Sequence, residues 1–135
     1  MNKLLANLSG DKFLEEKVRN LLQIIYAELR KDYSFMPYGY EKGKKTSLKS
    51  CKHALKQLLL RKKINIETVS SVRKMFKKYF KYFNKAQIAF IDNEDEWFYE
   101  YYYGRNIVFA IYAYELNEIL KEVKDGEFSG KRKVI

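Results

Sequence analysis

Two groups of residues carry side chains able to do chemistry, and both fall short of a reaction centre. Cys51 and His53 are the only thiol and the only imidazole in the chain. A nucleophile and its base must lie on one side within hydrogen-bonding reach, whereas a spacing of two on a helix sends them to different sides. One cysteine and one histidine also cannot supply the ligands of a zinc site. Asp92, Glu94, Asp95 and Glu96 offer carboxylate oxygens, but the run lacks the glycine and distal glutamate of a calcium-binding helix-loop-helix, so a solvated turn is expected. No catalytic residue, metal site or cofactor is expected, and the chain is read as a binding protein, not an enzyme.

A third group concerns anions. Gly39-Tyr-Glu-Lys-Gly43-Lys44-Lys45-Thr46 resembles the phosphate-binding P-loop pattern, yet it has one residue too few between the glycines and one too many before the threonine, and no strand precedes it. A lysine-bearing loop running into a helix N-terminus is the expectation. Far stronger is the charge distribution. Residues 42–85 hold fifteen lysines and arginines against one acid, Glu67, while residues 86–127 hold ten acids against three bases. With a total of +10, the chain is electrically polarised, basic in its middle third and acidic in the segment after it. A lysine bias across the whole composition would not empty one segment of acids and load the next. A field of this kind draws polyanions, with nucleic acid first and an acidic protein surface second.

Helical periodicity positions the cations. Phe13, Leu14, Val18, Leu21, Leu22, Ile25 and Leu29 mark a first helix over about 12–31. The stretch 32–45, with Pro37, Gly39 and Gly43, reads as a long loop. Thr46 or Ser47 caps a second helix to about 62, and Asn65 caps a third to about 84. On the third, Lys74, Lys77, Lys78, Lys81 and Lys85 fall along one side for roughly 16 Å. Lys45, Lys49, Lys52, Lys56 and Lys63 do the same on the second, so that the two helices are expected to present one broad positive platform. Lys49, Lys52 and Lys56, the five lysines of the third helix and Arg73 are the predicted nucleic-acid contacts. Because lysine meets phosphate and does not read base edges, backbone contacts to duplex DNA are expected to dominate.

Beyond the third helix the period shifts to two. Ile88 to Ile91, a polar turn at 92–95, and Trp97, Tyr99, Tyr101 and Tyr103 alternating with Phe98, Glu100 and Tyr102 predict a β-hairpin. A last helix runs from Val108 to about Gly126. The fold class expected is therefore α+β, with three helices, a hairpin and a helix, in one globular domain over 1–127 and a flexible basic tail over 128–135. That element order is similar to winged-helix domains, a resemblance of architecture that implies a DNA-binding regulator. The acidic tip of the hairpin departs from it, since it would repel the phosphates that a wing approaches. The alternative function is a small protein-binding modulator of phage or mobile-element type, using Tyr99, Tyr101, Tyr102 and Tyr103 to grip a protein partner or a second copy. A lone cysteine and the lack of a secretory or membrane-spanning run give a cytoplasmic expectation, with no membrane partner and no small-molecule substrate.

Overall fold

A computed structural model describes residues 2–60 and 64–134, and the side chains of 11–60 and 64–125. The described residues form four helices: α1 (Asn2–Arg30), α2 (Tyr38–Leu60), α3 (Ile66–Ala89) and α4 (Glu96–Val134). No strand occurs among the described residues, which overturns the α+β class and with it the winged-helix order. The supposed hairpin is the end of α3, a short turn and the start of α4. Likewise, most of the supposed loop at 32–45 is the first two turns of α2. The backbone of α4 runs through the segment expected as a tail, whose side chains lie outside the described residues.

The aromatic run is helical because its rings pair at a spacing of four, not two. Trp97 stacks on Tyr101 with centroids 5.1 Å apart, and Phe98 and Tyr102 both stack against Phe90, the residue that caps the C-terminus of α3. Such i, i+4 neighbours meet on a helix surface, whereas alternation would have put Trp97, Tyr99, Tyr101 and Tyr103 on one strand face. The acids before the run start the helix. The Asp95 carboxylate accepts the Trp97 backbone N–H at 3.0 Å, and Glu96 occupies the first turn, where negative charge meets the helix dipole.

Consecutive helices run antiparallel. Lys44 reaches Glu28 across α1 and α2, while Arg73 meets Asn117 and Phe90 meets Phe98 across α3 and α4. In a square up-and-down bundle, α2 and α4 would sit on a diagonal. Here they touch instead, in parallel, with Gly39 beside Trp97, Gly43 beside Tyr101 and Ser47 beside Arg105. Glycine permits that approach. A Cβ on Gly43 would clash with the Tyr101 carbonyl oxygen and stand 2.9 Å from its carbon, and one on Gly104 would stand 2.8 Å from the Lys44 nitrogen. The glycines of the P-loop-like string are thus helix-packing residues.

This crossing makes α4 the centre of the fold. α2 and α3 pack extensively on it and hardly on each other, and α1 lies mainly against α2. The core is built from Leu14, Val18 and Ile25 of α1, Leu48, Cys51 and Leu55 of α2, Val69 and Phe76 of α3, and Val108, Phe109 and Leu116 of α4, all nearly inaccessible.

Candidate nucleic-acid interface

The third helix is fixed from both ends and along its inner side. Asn65 accepts the Thr68 N–H at 2.9 Å, and the Thr68 hydroxyl accepts the Asn65 N–H at 3.0 Å, a reciprocal cap that satisfies two free donors of the first turn. Phe76 and Phe83 face Phe109 of α4, with centroids 5.7 and 5.9 Å from it. Asn84 and Gln87 accept from the buried amide of Asn106. With this side committed to α4, helical geometry turns Lys74, Lys77, Lys78, Lys81 and Lys85 outward, and all five are exposed. Among the described residues, none of the five has a carboxylate partner.

The lysines of α2 are used differently. Lys44 lies over the Tyr33 ring at 4.4 Å and near Glu28, Lys45 pairs with Glu41 at 2.9 Å, and Lys52 sits half-buried over Tyr26 at 5.9 Å. Lys49 and Lys56 are exposed on the side turned away from α4. Because α4 stands between α2 and α3, the cations form two rows on separate helices and not one continuous surface. Arg73 faces inward, donating to Asn117 at 2.8 Å and weakly to Ser70, with its Nε buried and unpartnered.

The tyrosines divide in the same way. Tyr101 accepts from Arg105 and stacks on Trp97, and Tyr102 stacks on Phe83 and Phe90, so both serve internal packing. Tyr99 and Tyr103 turn outward, and with Met36, Pro37, Tyr40 and Glu100 they line an open groove of about 350 Å³. Phe35 in the connection before α2 and Tyr38, the first residue of α2, stand exposed beside it.

Cys51 is fully buried and His53 exposed, which separates them as their spacing implied. Burial pushes the Cys51 thiol far above its ordinary value, so the thiolate needed for nucleophilic or metal chemistry is suppressed. No cluster of potential metal ligands occurs among the described residues, and no helix there is long and apolar enough to cross a membrane.

Sequence reasoning passed over one cation. Arg105 of α4 is half-buried, with its Nε donating to the Ser47 hydroxyl at 2.9 Å and an Nη1 proton to the Tyr101 hydroxyl at 3.0 Å. Its guanidinium lies 4.2 Å from the centre of the Phe83 ring. Ser47 in turn donates to the Arg105 carbonyl. The signal available in the sequence was a single arginine inside an acidic, aromatic segment, which the hairpin reading left in a turn. No protein-family model, curated protein or solved structure matches this chain.

Proposed function

We propose that the chain is a nucleic-acid-binding protein that engages the phosphate backbone, chiefly of duplex DNA, through Lys74, Lys77, Lys78, Lys81 and Lys85 on α3. The observation that carries this reading is the five exposed lysines, none with a carboxylate partner among the described residues, on a helix anchored along its opposite side. The row spans about 16 Å, the rise of roughly five base pairs, and an α-helix fits the major groove. With lysine as the reader, binding is insensitive to base sequence.

Anisotropy of a labelled random duplex at several salt concentrations tests this. Five phosphate contacts give a slope of log affinity against log salt of about −4 to −5. The pair of substitutions Lys77→Glu and Lys81→Glu removes most of the affinity and flattens the slope. Unchanged affinity in that double variant rejects the assigned helix.

The second reading rests on the exposed Phe35 and Tyr38 beside the groove of Tyr99 and Tyr103, an aromatic surface of the kind enriched in protein interfaces. Tyr103→Ala and Tyr99→Ala would then abolish capture of a protein partner and leave duplex binding intact.

A further inference from the structure

Tyr82 is the most exposed aromatic residue of α3, with 65% of its surface in water. Helical spacing sets it at the edge of the lysine row. Successive residues turn by about 100°, so Lys78, four before it, and Lys85, three after it, stand about 40° and 60° round the helix on the same side. Both lysines are exposed, and neither has a carboxylate partner among the described residues. No acid occurs in the chain between Glu67 and Asp92, so nothing on α3 around the ring repels an anion.

The ring is backed from within. It packs edge-on against Phe83, with centroids 5.1 Å apart and planes at 83°, and Phe83 is itself stacked on Tyr102 and Phe109 of α4. Tyr79, one turn earlier, is 40% exposed and rests on Phe109 at 5.2 Å. One edge of the row is thus a tyrosine margin, seated on the aromatic packing between α3 and α4 and open to water.

A neutral ring adds no charge to hold phosphate. Its flat apolar surface gains by meeting another flat surface, and in a blunt duplex the base faces are already stacked on one another. An unpaired base offers such a face. Cations that track the backbone, with an aromatic ring beside them to stack on a base, are the combination by which proteins hold single strands.

We infer that Tyr82 stacks on an unpaired base next to the phosphates held by the lysine row, so that the ligand taken best is a duplex carrying a single-stranded overhang or gap. This deepens the nucleic-acid reading and rests on it for the phosphate contacts.

The test uses the full-length protein and three labelled DNAs: a blunt duplex, the same duplex with a thymidine overhang, and the same duplex with an abasic overhang of equal length, which keeps the phosphates and removes the bases. The wild type is expected to bind the thymidine overhang about tenfold more tightly than the abasic one, the gain from a stacked base. Tyr82→Ala should erase that margin and leave blunt-duplex affinity and its salt slope unchanged. Tyr82→Phe, which keeps the ring and loses the hydroxyl, should retain the margin. Equal wild-type affinity for the two overhangs overturns the inference, as does a margin that survives in Tyr82→Ala or vanishes in Tyr82→Phe; blunt-duplex binding that persists in those cases leaves the lysine row standing. A ring-dependent margin without blunt-duplex binding upholds Tyr82 and overturns the duplex reading. Binding of none of the three overturns both.

Discussion

Replacing Gly43 by alanine inverts the usual effect of that substitution. In an unhindered helix interior, alanine is favoured over glycine by about 0.5–1 kcal/mol, because it loses less backbone entropy. At Gly43 the new methyl would stand 2.9 Å from the Tyr101 carbonyl carbon and 3.1 Å from the Arg105 nitrogen, and closer still to the Tyr101 oxygen. These are backbone atoms, which no rotamer change moves. Bringing the carbon alone to an ordinary 3.4 Å parts the two helices by at least 0.5 Å, and clearing the oxygen needs more. Parting them strains the paired bonds between Ser47 and Arg105, both 2.9 Å long. Overpacking of this kind costs about 1–3 kcal/mol and a weakened hydrogen bond adds about 1. Net of the helix gain, Gly43→Ala should lose about 1–3 kcal/mol, a fall in Tm of roughly 3–10 °C for a chain of this size. Calorimetry or urea titration measures it, with Lys49→Ala, exposed on the same helix, as a control expected within about 0.5 kcal/mol. A rise in Tm for Gly43→Ala would refute the parallel crossing of α2 and α4.

Two further outcomes bear on what holds the basic helix and its neighbours. Asn65→Ala removes the acceptor of the α3 cap and should cost about 1 kcal/mol in urea unfolding; a cost near zero would mean the first turn of α3 needs no cap. Glu28 titrates below its ordinary value of 4.5, chiefly because Lys31 and Tyr33 hydrogen-bond its carboxylate, with the charge of Lys44 assisting against burial. Its folded-state value is depressed, so its contribution is full above the unfolded value and disappears as pH falls through the folded one. Glu28→Gln should therefore lower Tm at pH 7 and converge on the wild type as pH falls through the folded-state value of Glu28; an offset that persists once the carboxyl is protonated would locate the effect in packing instead.

The helices that position the lysines were legible because their periodicity agrees with how they are buried. Phe76, Phe83 and Val69 form the inner side of α3, and Asn65 caps it, as their spacing implied. Two stretches misled for definable reasons. The aromatic run at 97–103 is apolar at nearly every position, so it fits a period of two as readily as one of 3.6, and only contacts with Phe90 and Phe83 decide between them. Glycine and proline at 37–43 normally punctuate a chain. Here Pro37 accepts the Glu41 N–H at the entry to α2, and the glycines lie inside the helix because another backbone needs the space. Neither cause is local. The merging of the lysine rows failed with the same step, since a direct contact between α2 and α4 sets α3 apart.

That arrangement also explains how α3 tolerates its charge. Lys74 and Lys78, Lys77 and Lys81, and Lys81 and Lys85 are like charges four apart, and Lys74 and Lys77, and Lys78 and Lys81, are three apart. At about 0.2–0.5 kcal/mol each, five such repulsions total roughly 1–2.5 kcal/mol. Against this stand the full burial of Phe76 and the partial burial of Phe83 and Phe90, worth about 1.5–3 kcal/mol for a fully buried phenylalanine, and a cap worth about 1. Packing on α4 outweighs the repulsion, so the row is held as a rigid helix whether or not anything binds. An anion bound along the row, as proposed, would relieve that repulsion without any reordering of the backbone that carries the lysines.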